Sequence, residues 1–216
     1  MVVSVTLIGF VGAKLYYLAE NAADLSWHHL GGSGFTWYGG FVAGLGTAWF
    51  LARRHRLPLA QLGAVSAAPL SLAYAVGRLG CLLAGDGTYG RPTDLPWAMT
   101  FPNGTVPTTI PVHPTPAYEA IGALAIAGLL WAVRRHVQPL VAIGIYAVLS
   151  GTARFLVEVV RVNERTVLGL TQPQLWSLVL ITLGAAAVAV AWRRRETSRL
   201  QTVVQPVALV DADRRT

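Results

Sequence analysis

The chain has 216 residues, 54% of them hydrophobic and only 12% charged, about half the charged share of an ordinary soluble domain. With a mean hydropathy of +0.51, this composition points away from a water-soluble globule and toward an integral membrane protein. The formal charge of +7 is not a nucleic-acid footprint, because the basic residues fall in short clusters between apolar runs and form no stripe or aromatic-interleaved patch.

Apolar stretches that match a hydrocarbon core of about 30 Å run over 2–19, 34–52, 59–84, 117–133, 139–157 and 174–192. They predict an all-α polytopic bundle of about six transmembrane helices. The first lacks a basic leading segment and an A-x-A-like cleavage site, which argues against a cleavable signal peptide and leaves open an uncleaved anchor; it carries Lys14. The second opens in "GSGFTWYGGFVAG", where Trp37 and Tyr38 suit an interfacial aromatic belt. Gly39, Gly40 and Gly44 there would let a neighbouring helix approach closely.

The third stretch carries Arg78 and the chain's single cysteine, Cys81. One cysteine excludes an internal disulfide, no Cys/His spacing suggests zinc, and apolar neighbours make Cys81 a packing residue before a nucleophile. The loop "GDGTYGRPTDLPW" follows, whose turn formers let backbone approach a ligand and whose Asp86, Tyr89 and Arg91 are polar groups it could present. "VHPTPAYEA" then places His113 beside Pro114, with Thr115 as a possible cap and Tyr118 and Glu119 opening the fourth stretch. In the fifth, Arg154 and Glu158 are four residues apart and Arg161 follows one turn later, so all three share a helix face.

Three basic clusters decide orientation: Arg53, Arg54 and Arg56; Arg134 and Arg135; and Arg193, Arg194, Arg195 and Arg199. All fall on one side, which the positive-inside rule makes cytoplasmic, together with both termini. The opposite loops, 20–33, 85–116 and 158–173, face outward and hold Glu20, Asp24, Asp86, Asp94 and Glu164. Residues 1–195 read as one transmembrane domain and 196–216 as a cytoplasmic tail of low order. No internal repeat or pair of broken helices suggests an inverted-repeat transporter.

Charges inside apolar stretches cost at least about 2.5 kcal/mol each at mid-bilayer and must face protein, water or a polar ligand. On this topology Lys14, Arg78, Arg154, Glu158 and Glu119 all lie in the outer half of the membrane and are expected to converge. An ion pair explains Arg154 and Glu158; Lys14 and Arg78 lack a partner at i±3 or i±4 and need one elsewhere. A cluster with more cations than anions suits a lipid phosphate, whose oxygens a guanidinium grips two at a time. Charge placement alone thus ranks a phospholipid-handling protein first and a small-anion channel or transporter second.

In this order, "GSGFTWYGG", "GRLGCLLAGDGTYGRPTDLPWAMTFP", "HPTPAYE", "RFLVEVVR" and "LGLTQPQLWSL" resemble the bacterial prolipoprotein diacylglyceryl transferase family. The likeness runs from about residue 5 to 192. It implies transfer of diacylglyceryl from phosphatidylglycerol to the lipobox cysteine of a preprolipoprotein signal segment, at the inner membrane, with glycerol phosphate released and no metal or cofactor needed. By the resemblance Arg78 and Arg154 match the family's essential arginines and would stabilise the leaving phosphate. Tyr38 and His113 are candidate proton handlers, with His28 and His29 as further possible bases. Lys14, Gly39, Gly40, Asp86, Tyr89, Arg91, Tyr118, Glu119, Glu158 and Arg161 are expected around the substrate, Glu119 and Glu158 orienting the arginines.

The chain departs from the family pattern in three places. Tyr38 stands where members often carry His, and a phenol of pKa about 10 is a poorer base near neutrality. Ala84-Gly85-Asp86 replaces Asn-Gly-Glu, and a further helix with a periplasmic segment usually precedes the region matching residue 1. The sequence therefore reads as a shortened or divergent member. The alternatives are a member serving another acceptor and a non-catalytic phospholipid-binding protein.

Overall fold

The computed structural model describes residues 1–22, 31, 34–167 and 169–213; His28 and His29 lie outside them. Among the described residues six helices form where six apolar stretches predict them: α1 (Val2–Glu20), α2 (Trp37–Arg54), α3 (Leu59–Ala84), α4 (Thr115–Val133), α5 (Pro139–Glu158) and α6 (Gln172–Asp213). Five are long and apolar enough to cross a bilayer, α6 through its segment Gln172–Arg194. The sixth, α2, falls outside that set because glycines, a threonine and the terminal Arg53–Arg54 pair dilute its apolar content.

Helices are the expected answer for such segments, since without water each backbone N–H and C=O must be satisfied within the segment. Burial runs opposite to that of a soluble protein. Leu83, Val2 and Val65 are 88%, 79% and 75% exposed, while Glu119, Glu158, Thr115 and Ser177 are buried. Large apolar side chains thus face outward, as a lipid solvent requires, and polar ones face protein.

The chain divides into two compact units, Met1–Leu62 and Gly63–Thr216. In the first, α1 packs on α2 through small residues. A Cβ on Gly39 would stand 2.4 Å from both Gly12 O and Tyr16 Cβ, and one on Gly12 would meet Ala43 Cβ at 2.3 Å. The small-residue reading of Gly39 and Gly40 is thereby explained as backbone contact. Lys14 Nζ donates to the carbonyls of Gly31 (2.8 Å) and Gly34 (3.4 Å) and lies over the rings of Tyr17 and Phe35. Lys14 is thereby tied to backbone at Gly31 and Gly34, ahead of α2.

In the second unit α5 packs against α4 on one side and α6 on the other. Gly144 and Gly184 make close backbone contact there: a Cβ on either would stand 2.7–2.8 Å from the other's carbonyl oxygen. Ala67 of α3 joins Ile126 and Leu130 of α4 in a small core, flanked by Ile145, Tyr146 and Leu149 of α5.

Among the described residues, two short antiparallel hairpins, β1 (Met99–Phe101) with β2 (Thr108–Val112) and β3 (Arg165–Val167) with β4 (Leu170–Thr171), lie between helices. Sequence patterning did not separate them from loop. Tyr89 stacks on Phe101 with centroids 4.2 Å apart and donates to Val106 O (3.2 Å), forming the loop's own core with Val112 and Leu82. The Gly-rich stretch then crosses the end of α5: Arg91 N donates to Val160 O (2.8 Å) and Gly90 N to His113 O (2.9 Å). Gly90 has no alternative, because a Cβ there would lie 2.6 Å from Val160 O and 2.7 Å from His113 Cβ.

Candidate functional site

Three helices of the second unit deliver one charged cluster. Arg78 comes from the last two turns of α3, Glu119 from the first turns of α4, Arg154 and Glu158 from the end of α5, and Arg161 from just beyond it. Glu119 is the hub. Its Oε2 lies 3.1 Å from Arg78 Nε and 3.5 Å from Arg161 Nη1, and its Oε1 lies 3.5 Å from Arg154 Nη1. Glu158 Oε2 adds contacts to Arg154 Nη1 (2.8 Å) and Arg161 Nε (3.8 Å), and its Oε1 accepts from Asn163.

Burial separates the two signs. The carboxylate side chains are 2% and 0% exposed, the arginines 12–25%. Three guanidiniums against two carboxylates leave one net positive charge, carried on the more accessible side. Two donors, Arg154 Nη1 and Arg161 Nε, are buried with no aligned hydrogen bond among the described residues; the 2.8 Å contact of Arg154 to Glu158 is an ion pair off the N–H direction. Arg161 titrates below the usual arginine value: burial is the main cause, and the charge of Arg154 adds to it against the opposing pull of Glu119 and Glu158. The cluster is under-neutralised, and an arriving anion would relieve it.

Sequence reading missed Tyr74. It sits one turn before Arg78, accepts from Arg78 Nε (3.0 Å), donates to Glu119 Oε1 (2.8 Å) and places its ring 5.1 Å from the guanidinium carbon. Arg78 therefore does have an i−4 partner, uncharged and so invisible to a search for ion pairs. Asn163 was missed as well; its place two residues after Arg161 was the available signal.

Beside the start of α4, Trp97 Nε1 donates to Tyr118 Oη (2.7 Å), and Tyr118 Oη lies 3.2 Å from His113 Nδ1. These three groups line an open, largely apolar cleft of about 410 Å³ with Leu156, Val157 and Val160. Pro114, not Thr115, is the N-cap of α4; Thr115 lies in the first turn and donates to the Thr88 carbonyl. Asp86 accepts from the Thr88 amide (3.1 Å) and hydroxyl (2.6 Å). Its partial burial would raise its pKa, but hydrogen bonds from Cys81 and Thr88 outweigh this and hold it below the usual carboxylate value.

Arginines and glutamates from α3, the start of α4 and the end of α5 are thus grouped as the quoted motifs anticipate. A family model described as prolipoprotein diacylglyceryl transferase matches residues 1–190. The chain belongs to that family.

Similar proteins named phosphatidylglycerol–prolipoprotein diacylglyceryl transferase include one from Azotobacter vinelandii, 35% identical over 169 residues, and one from Pseudomonas fluorescens, 32% identical over the same length. Each alignment covers 74% of this chain and 62% of the relative. A third, from Cupriavidus metallidurans, is 34% identical over 167 residues, 74% of this chain and 61% of the relative. The chain spans about three fifths of the length of these relatives.

Against the diacylglyceryl transferase expectation, the structure brings together Arg78, Glu119, Arg154, Glu158 and Arg161, and pairs His113 with Tyr118. Tyr89 and Asp86 are engaged within the loop, and the backbone of Arg91 ties that loop to α5. Lys14, Tyr38, Gly39 and Gly40 belong to the first unit, where Tyr38 is 64% exposed.

Proposed function

We propose that this chain transfers the diacylglyceryl group of phosphatidylglycerol to the lipobox cysteine of a preprolipoprotein. The observation that carries the reading is the under-neutralised cluster of Arg78, Arg154 and Arg161 around buried Glu119 and Glu158, in a chain of this family. In the reaction, the partner's thiol loses its proton and its sulfur bonds to the glyceryl carbon. The bond from that carbon to the phosphate oxygen breaks, and glycerol phosphate leaves. The phosphodiester begins with one negative charge and departs as a monoester with a second. Fixed arginine donors in a water-poor site stabilise the charge that develops, worth roughly 3–4 kcal/mol for a single well-placed donor.

In this account Arg78 and Arg154 hold the phosphate, Arg161 supplies the remaining positive charge, and Glu119 and Glu158 keep the guanidiniums in place. His113, hydrogen-bonded to Tyr118, handles a proton at the edge of the cleft. The apolar walls of that cleft suit an acyl chain or the apolar signal segment of the partner. The reading places the protein in the bacterial inner membrane, basic clusters and both termini cytoplasmic and the site toward the outer leaflet. Residues 1–195 make up its membrane domain and 196–216 a cytoplasmic tail.

The test uses purified protein, phosphatidylglycerol and a lipobox peptide, following peptide mass and glycerol-phosphate release. Thioether product that disappears in Arg78→Ala supports the reading. Bound lipid with neither product would reject transfer to this acceptor.

A further inference from the structure

Arg78 lies in the last two turns of α3 with its side chain 19% exposed, on a helix that contains no carboxylate. A free arginine side chain has four rotatable bonds to order before it can grip a phosphate. The protein's oxygen partners, Tyr74 Oη at 3.0 Å and Glu119 Oε2 at 3.1 Å, both meet it at Nε. The Cys81 thiol, three residues further along the helix, is another hydrogen-bond partner of the guanidinium. The Tyr74 hydroxyl is committed in both directions, accepting from Arg78 and donating to Glu119 Oε1 at 2.8 Å, and its ring lies beneath the guanidinium.

We propose that Tyr74 is a positioning residue: its hydroxyl locks Arg78 by the Nε edge against Glu119, so that the terminal N–H groups project as a preformed fork for the phosphate of a glycerophospholipid. This deepens the proposed function, on which it rests for the identity of the ligand. The tyrosine acts through Arg78 and touches no reacting atom. Its ring tethers the arginine from within the same helix, and its hydroxyl couples that helix to α4. The site is then ordered before lipid arrives, and binding does not have to order it.

The claim is separable from a plain packing role by a double-mutant cycle. Glycerol 1-phosphate binding is measured by calorimetry in detergent for wild type, Tyr74→Phe, Arg78→Ala and the double variant, with thermal melts as a folding control and thioether formation assayed in parallel. Tyr74→Phe keeps the ring and should weaken binding on the order of tenfold, the worth of one hydrogen bond to a charged group. The same change should have no further effect once Arg78 is gone. Equal binding by wild type and Tyr74→Phe, or an equal loss in both Arg78 backgrounds, overturns the proposal. If the cycle shows coupling but no thioether forms, the transferase reading fails and the clamp stands; thioether formation with an uncoupled cycle is the reverse.

Discussion

Glu119→Ala is the perturbation that the cluster's geometry makes most costly. The side chain is 2% exposed and meets Tyr74, Arg78, Arg154 and Arg161 at 2.8–3.5 Å. Its removal leaves three arginines facing Glu158 alone and raises the net charge from one to two. Removing one partner of a buried ion pair costs about 3–5 kcal/mol. The arginines keep 12–25% exposure, so the lower end applies, about 3 kcal/mol. For a chain of this size that lowers Tm by about 6–12 °C. Glu119→Gln keeps the shape and an acceptor for Tyr74, and its melting point should fall between the two. The assay is thermal unfolding of detergent-purified protein followed by tryptophan fluorescence. A Glu119→Ala protein melting within about 2 °C of wild type would refute the hub assignment.

Gly90→Ala must push its new methyl against Val160 O and His113 Cβ; overpacking of about 1–3 kcal/mol should lower Tm and expose the 85–116 loop to protease. Gly39→Ala should destabilise the α1–α2 pair in the same assay, whereas Gly46→Ala, with nothing within 4 Å of its Cβ, should be neutral or slightly stabilising. Tyr118→Phe removes the acceptor of the Trp97 N–H and the partner of His113 Nδ1; lipid binding should persist while transfer falls by about tenfold or more. Asp86, held below its ordinary pKa by hydrogen bonds from Cys81 and Thr88 that outweigh its burial, stabilises the fold above the unfolded carboxylate value of about 3.9. That contribution is lost as pH falls through the folded value. Melting curves of wild type and Asp86→Asn should therefore differ at pH 6 and draw together as the pH falls below the unfolded carboxylate value of about 3.9.

Helix positions were the most legible part of the sequence, because in a lipid solvent length and hydropathy nearly determine the element. The third stretch coincides with Leu59–Ala84, and the fourth and fifth differ from α4 and α5 by two residues or fewer. The hairpins of 99–112 and 165–171 were not legible: their pairing depends on turns and on tertiary contacts, such as those of β3 and β4 with α6, not on alternating hydrophobicity. At the site, charges isolated in apolar surroundings revealed Arg78, Arg154, Glu158 and Glu119. Tyr74 escaped because a single uncharged tyrosine in an apolar stretch is ordinary and only its distances to Arg78 and Glu119 distinguish it. Tyr89 errs in the opposite direction: a polar residue in a Gly-rich loop read as ligand-facing, yet its ring and hydroxyl are spent on Phe101 and Val106. Sequence gives the polarity of a side chain but not whether a neighbour has already claimed it.

The central claim is that this arginine cluster receives the lipid phosphate on which transfer depends. The most direct measurement is the ³¹P NMR shift of short-chain phosphatidylglycerol titrated with wild type, Arg78→Ala and Arg154→Ala in detergent. The account predicts a saturable headgroup shift with wild type that is weakened at least about tenfold in each variant, while Arg53→Ala, outside the cluster, behaves as wild type. An undiminished shift in both cluster variants would contradict it.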